Sequence, residues 1–336
     1  MSSVALCFYH SPCNDGASAA AVVSKRIHEI EPETDVEFHP IGFTVGWDDP
    51  VPEAELRVLG HEKRPVTSIY IVDISLSPVK YNQILDYLRK VGRIGESKPK
   101  TVCIDHHRTA LDNIDALTSY CDETMIEIGP GLSGATLAWN YFNRFAEQAE
   151  PMPLLLQYVA DQDIWEWKLD SSREINSALN RLDGKAESMV KELDWSLRDN
   201  ATWLRTRLQQ GKAVISVVDS QLKKSYTRVF DYLTESGTEF RIVNATENAS
   251  ELGNMLCEES KHSPAVIVMI YSIQRNWSVK CSVRSIPGGK IVAREIAERF
   301  RGGGHDHAAG CRFENVLEFD KALEALLGVD VKLINH

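Results

Sequence analysis

The chain has 336 residues, 43% of them hydrophobic and 25% charged, with a formal net charge of −11. This is the composition of a globular protein of about two domains, and it excludes low-complexity and collagen-like chains. No apolar run approaches the roughly 20 residues of a membrane helix, and so acidic a chain is not expected to track long nucleic acid, whose phosphates call for an electropositive face.

The N-terminal "MSSVALCFYH" has no basic segment leading an apolar stretch, so no secretory signal is expected. "VALCFY" reads as a buried strand and "GASAAAVVSKRIHEI" as the helix after it. "DVEFHPI" and "SIYIVDIS" read as strands, and "PVKYNQILDYLRKV" has a proline-led helical start. "KTVCIDHH" is a short apolar strand and "ETMIEI" one more, followed by helices in "SGATLAWNYFNRF" and "PLLLQYVADQDIWEW". Strands separated by helices predict a parallel, doubly wound α/β sheet over residues 1–185. Residues 186–235 are charged throughout and helix-forming, which predicts a helical connector. A second, smaller α/β domain is expected over 236–336. Its strands are "EFRIVNAT", "PAVIVMIYSI", "WSVKCSVRSI" and "CRF", and its helices "SELGNMLCEES", "IVAREIAERF" and "VLEFDKALEALL". "RGGGHDHAAG" reads as a glycine-rich turn.

Ligand residues in such sheets gather beyond the carboxyl ends of the strands. His10, Cys13 and Asp15 fall in the turn after the first strand, Asp73 ends "SIYIVD", and Asp105, His106 and His107 end "KTVCIDHH". Asp161 and Asp163 stand near the end of "LLLQYVADQD". Mixed His and Asp donors suit Mn²⁺, Co²⁺ or Zn²⁺ better than an all-oxygen Mg²⁺ cage. Four converging segments suffice for two ions, with Asp73 bridging; two ions clamp the attacking and leaving oxygens of a phosphoryl transfer. Taken singly, each residue has a plainer reading: Asp15 in a turn, Cys13 as a small buried side chain, Trp165 and Trp167 as core aromatics. The coincidence at several strand ends is what points to a site. Seven cysteines without a Cys-x-x-Cys pair point to a reducing cytoplasm.

These motifs resemble those of the DHH phosphoesterases, with "CNDGASAA", "YIVDIS", "IDHH" and "VADQD" standing for four motifs of the first domain. "SVRS" and "GGGHDHAAG" resemble the companion DHHA1 domain. The resemblance implies an active-site cleft between the two domains and a metal-dependent phosphodiesterase of small nucleotides: cyclic dinucleotides, linear dinucleotides or very short oligonucleotides. It implies Asp15, Asp73, His106 and Asp161 at one ion, and His10, Asp73 and residue 13 at the other, with two Mn²⁺ ions expected. Asp105 would be a supporting carboxylate and His107 would meet the scissile phosphate. Arg284, Gly302, Gly303, Gly304 and His305 would contact the nucleotide, in a stretch (275–312) holding eight Lys/Arg against three acids. Cys13 stands where the family usually has an aspartate. Either it is a thiolate ligand favouring a softer ion, or that metal site is weakened, the reading slightly preferred. Other readings are a polyphosphatase or pyrophosphatase with the same metals, and a non-catalytic nucleotide-binding regulator.

Overall fold

The computed structural model describes residues 3–42, 47, 49–144, 148–260, 265–328 and 332–334. Phe145 and Pro264, at the ends of an expected helix and strand, lie outside them. The chain divides into two compact units, Met1–Ile215 and Ser216–His336.

The first unit runs β1 (Ser3–His10), α1 (Asn14–Ile30), β2 (Thr34–Ile41), α2 (Glu53–Val58), β3 (Val66–Val72), α3 (Pro78–Lys90) and β4 (Lys100–Asp105). It continues through α4 (Arg108–Asp112), α5 (Ile114–Thr118), β5 (Glu123–Ile126), α6 (Gly134–Asn143), α7 (Leu154–Asp163), α8 (Ser172–Leu179) and α9 (Ala186–Arg198). The sheet order is β2-β1-β3-β4-β5, and every pairing is parallel. Both faces are covered. Ala5, Cys7 and Tyr9 of β1 enter one core with α1 and α6 residues, while Val4, Leu6 and Phe8 enter the other with Tyr81, Ile84 and Leu88 of α3. Period-2 alternation buried on both sides is why these strands read as continuous apolar runs. In this order the chain reverses its winding direction at β1 and β3, the switch point where ligands of doubly wound sheets bind.

The helix α10 (Asn200–Tyr226) starts in the first unit and ends in the second. The second unit continues with β6 (Phe230–Leu233), β7 (Glu239–Asn244), α11 (Ala249–Glu258), β8 (Val266–Ile273), β9 (Val279–Ser285), α12 (Ala293–Glu298), β10 (Gly303–His305), β11 (Ala308–Phe313), α13 (Val316–Leu327) and β12 (Lys332–Ile334). Its described strands form one mixed sheet, β10-β11-β9-β8-β7-β6-β12, with β7 and β8 parallel and the rest antiparallel. The end of the expected helical connector is therefore a strand. Asp231 of β6 is buried beside Arg241 of β7, whose Nε donates to Asp231 Oδ1 at 3.0 Å. The glycine-rich stretch is not only a turn: Gly303–His305 pairs with Ala308–Gly310 in a tight hairpin. No helix among the described residues is long and apolar enough to cross a membrane.

Candidate metal centre

β1, β3 and β4 end side by side, and each delivers donors at its carboxyl end. His10 closes β1; its Nδ1 lies 3.3 Å from Asp73 Oδ2. Asp73 follows β3 with a left-handed backbone (φ 57°), which short polar side chains tolerate, and its amide donates to Ile104 O at 2.9 Å. Asp105 closes β4. Its Oδ1 accepts the His106 and His107 amides at 2.8 and 3.1 Å and lies 2.7 Å from His107 Nδ1. That contact turns the ring so that Nδ1–H meets the carboxylate.

Two helix starts complete the cluster. Asp15, in the first turn of α1, accepts from Ser133 Oγ at 2.5 Å and from the Gly134 and Ala135 amides at 2.6 and 3.0 Å, which seats it on the N-terminus of α6. A carboxylate there answers the unpaired amides and the helix dipole. The approach requires glycine at both positions. A Cβ on Gly16 would lie 2.2 Å from His10 O, and one on Gly134 would lie 2.5 Å from Asp73 Cβ.

His106 Nε2 lies 3.1 Å from Asp73 Oδ1, 3.4 Å from Asp163 Oδ2 and 3.7 Å from Asp15 Oδ2. Within the first unit the described ligand atoms form three groups, each within 4.8 Å mutually: His10, Cys13 and Asp73; Asp15, Asp73 and His106; Asp73, Asp105 and His107. Asp73 belongs to all three.

The electrostatics follow from burying several carboxylates together. Burial pushes the Asp15 carboxyl well above the usual carboxylate range, and the Asp73 and Asp163 charges push it further. Burial also raises Asp163, against the pull of His106. Burial alone would raise Asp73 too, but His10 and His106 hold it well below the usual range. Burial disfavours the His106 cation, yet Asp73, Asp163 and Asp15 outweigh it and raise the imidazole well above its ordinary value. His107 is raised likewise, with Asp105 outweighing burial. The Cys13 thiol is pushed well up, by burial and then by Asp73, Asp163 and Asp15. Asp73 Oδ1 and Asp163 Oδ2 are buried oxygens that accept no hydrogen bond of good geometry. Buried carboxylates are costly unless paired or bound to a cation. A divalent ion fits this nitrogen, oxygen and sulfur donor set and could be held here.

Asp161 is not brought to the cluster. Its carboxylate accepts the Lys168 and Leu169 amides at 2.8 and 3.2 Å and ties down the chain after α7. Asp163 stands in its place, with Oδ1 3.9 Å from Cys13 Sγ. Trp165 and Trp167, expected in the core, are half-buried in that same turn, edge to face at 5.0 Å with positive φ.

In the second unit, Arg284 on β9 donates to Val283 O and Ala309 O at 3.0 and 3.4 Å and to Ser250 Oγ at 3.1 Å. No carboxylate forms an ion pair with it among the described residues, and burial lowers the guanidinium below its ordinary range. Gly302 packs so closely on β11 that a Cβ would lie 2.1 Å from Gly310 O, whereas above Gly303 nothing lies within 4 Å. Gly304 has φ 135° and would clash with Ala308 O at 2.7 Å. His305 sits opposite Ala308.

Residues 238–329 match the DHHA1 domain family. The chain is 25% identical over 228 residues to an uncharacterised protein of Acanthamoeba polyphaga mimivirus, covering 66% of this chain and 50% of that one. It is 23% identical over 254 residues to the oligoribonuclease NrnB of Bacillus subtilis, covering 73% and 59%. The chain thus spans 50% to 59% of the length of these relatives. Among solved structures, the DHH domain of a member of a ribosomal-protein family superposes with a TM-score of 0.62 at 14% identity, covering 96% of this chain and 85% of that one. An exopolyphosphatase-related protein from Bacteroides fragilis gives 0.56 at 13% identity (96% and 92%). RecJ from Thermus thermophilus, solved with Mn²⁺, gives 0.52 at 15% identity (97% and 52%). At these identities the structural likeness speaks for the fold.

Proposed function

We propose, from the premise that this chain belongs to the DHH/DHHA1 phosphoesterase superfamily, that it is a metal-dependent phosphodiesterase of small nucleotides. The substrates would be linear or cyclic dinucleotides or very short oligonucleotides. The observation that carries this reading is the triple role of Asp73, one buried carboxylate common to three donor groups. Asp15, Asp73, His106 and Asp163 would hold one Mn²⁺, and His10, Cys13 and Asp73 a second divalent ion, which a Cys13 thiolate would bias toward a softer metal. When bound, such ions supply a hydroxide at neutral pH and offset charge on the phosphoryl oxygens.

The chain's own residues do the rest. Asp105 fixes the His107 ring through Nδ1 and favours its charged form, and His107 would meet a phosphate oxygen. The α6 amides hold the Asp15 carboxylate in place before any ion arrives, so little reorganisation is needed on binding. Arg284 and the open backbone at Gly303 would receive the nucleotide. The described cysteines are all free thiols, which suits the proposed cytoplasmic location. The likeness of NrnB, an oligoribonuclease, supports a nucleotide substrate over polyphosphate.

The test is purified chain with Mn²⁺ and a panel of cyclic and linear dinucleotides, pAp and polyphosphate, with chromatography of the products. Nucleoside monophosphates or linearised dinucleotides are expected. Asp73→Asn should retain under a few per cent of that activity with an unchanged circular dichroism spectrum. Orthophosphate from polyphosphate alone would select the pyrophosphatase reading, and no turnover of any compound would remove the hydrolase reading.

A further inference from the structure

Toward β9 and β11, one face of the second sheet carries Lys280, Arg284 and Arg312, none of which forms an ion pair with a carboxylate among the described residues. Further along the same face, Arg241 of β7 is paired with Asp231 and Glu239, and Arg284 packs against Gly253 of α11. On β9, Val279, Cys281, Val283 and Ser285 are buried, while Lys280, Ser282 and Arg284 look the other way. On β11, Ala309, Cys311 and Phe313 are buried, and Ala308, Gly310 and Arg312 share the face of the β9 set. Antiparallel pairing aligns them in rows: Ser272, Lys280 and Arg312; Ile270, Ser282, Gly310 and Gly303; Val268, Arg284, Ala308 and His305. Lys280 and Arg312 are thus like charges directly opposite each other, an arrangement that destabilises a sheet. Both are exposed. Neither has a carboxylate partner among the described residues. Among the described residues, Arg312 donates to Ser278 Oγ, at 2.8 and 3.1 Å. Small residues, Gly303, Ala308 and Gly310, floor the rows toward Arg284.

Beyond Lys280 the face ends in the β8–β9 hairpin, closed by Gln274 N donating to Ser278 O at 2.8 Å. Its tip presents Trp277, 73% exposed and in the left-handed region at φ 64°. An indole so exposed, one residue from the serine that holds Arg312, has no packing role in the unit. Basic side chains beside a solvent-facing aromatic are what single-stranded nucleic acid uses: cations along the backbone and a ring for a base to stack on.

We propose that this face is a binding track for a linear, single-stranded oligonucleotide, running from the Arg284–His305 row to the Lys280–Arg312 row and ending on Trp277. The proposal rests on the nucleotide reading above and narrows it. Lys280 and Arg284 are four residues apart on one strand, about 13 Å, more than one internucleotide step. A dinucleotide seated at Arg284 would fall short of Lys280. The preferred substrate would then be an oligonucleotide of several residues rather than a cyclic dinucleotide.

The experiment compares wild type, Lys280→Ala/Arg312→Ala and Trp277→Ala in Mn²⁺ buffer. Fluorescence anisotropy measures affinity for phosphorothioate hexa-adenylate and di-adenylate across salt concentrations, and turnover is followed on the unmodified oligomers. The double variant should bind the hexamer roughly tenfold more weakly. Its slope of log affinity against log salt should be shallower by about 1.4, since each single-strand phosphate contact contributes about 0.7. Trp277→Ala should lose about fivefold or more on the hexamer, as expected for one stacked base. Dimer affinity and dimer turnover should move less than twofold. Equal losses on dimer and hexamer, or loss on neither, would overturn the track. So would an unchanged hexamer affinity with an altered oligomeric state by light scattering, which would make the face a protein contact. Failure of the hydrolase reading shows elsewhere, as no turnover of either oligomer by wild type, while hexamer affinity and its salt slope still decide the track.

Discussion

Asp161 and Asp163 are two residues apart at the end of α7, and helical geometry sends side chains at that spacing to different faces. "VADQD" shows that a carboxylate ends this helix; it does not show which of the two. The answer came from a contact outside the motif. The Asp161 carboxylate is taken by the Lys168 and Leu169 amides, whereas Asp163 Oδ2 faces His106. Two different variants should follow. Asp161→Ala removes the charged acceptor of the Lys168 and Leu169 amides, at a cost of about 1–3 kcal/mol of stability, with Mn²⁺ content unchanged. Asp163→Asn should lose Mn²⁺ affinity and keep the thermal midpoint of the metal-free protein. Elemental analysis and thermal unfolding of both variants check this, and Mn²⁺ loss in Asp161→Ala alone would reverse the assignment. Cys13 was legible only as a departure from a motif. Its sulfur lies in the donor group of His10 and Asp73, which supports the ligand reading over the weakened site. Cys13→Asp should then shift the preferred ion toward Mn²⁺ or Mg²⁺, because carboxylate oxygen suits harder ions; an unchanged metal profile would count against it.

Among the elements, those with a strong side-chain period could be read from the sequence. β1, α1, α3 and β4 stand where alternation, the Ser77–Pro78 start and apolar runs place them. β10 could not be read, because Gly303 and Gly304 carry no side chain to alternate. β12 is three residues long and is defined only by its partner β6. Arg93 was equally hidden: "VGRIGESKPK" looks like an exposed turn, yet Arg93 is among the largest fully buried side chains. It donates to Glu37 Oε1 and Oε2 at 2.7 and 3.0 Å, to Leu59 O at 2.7 Å and to Arg64 O at 3.1 Å, joining β2 to the segments after α2 and before β3. Arg93 is buried and Glu37 partly so, and breaking such a pair from one side is costly, so Arg93→Leu should destabilise the protein by about 3 kcal/mol. The pH dependence follows with its sign. Burial would raise Glu37, but His39 and Arg93 together hold it below the ordinary value. A depressed carboxylate stabilises the fold above its unfolded pKa, about 4.3. That contribution is lost as pH falls through the lower, folded value. Urea midpoints of wild type and Arg93→Leu should therefore converge as pH drops below about 4; a gap independent of pH would mean that packing, not the ion pair, carries the loss.

At the scale of the whole molecule, alternation predicted a doubly wound sheet but not the order β2-β1-β3-β4-β5. Order is set by which way each crossover turns, and it is what brings the ends of β1, β3 and β4 together. The distribution of tryptophan makes the metal centre testable without an activity assay. Six of the seven tryptophans lie in the first unit, and Trp277 alone lies in the second. Intrinsic fluorescence therefore reports chiefly on unfolding of the unit that carries Asp73. An ion that binds only the folded state adds RT ln(1 + [L]/Kd), about 2.7 kcal/mol at a hundredfold excess over Kd. Binding should also relieve the repulsion among Asp15, Asp73 and Asp163. Urea unfolding followed by tryptophan fluorescence should move to a higher midpoint when EDTA is replaced by Mn²⁺, and Asp73→Asn should show almost none of that movement. No shift in wild type with Mn²⁺, Co²⁺ or Zn²⁺ would leave the buried carboxylates without their cation and sink the metal centre. A full shift retained in Asp73→Asn would keep the centre and remove Asp73 from it.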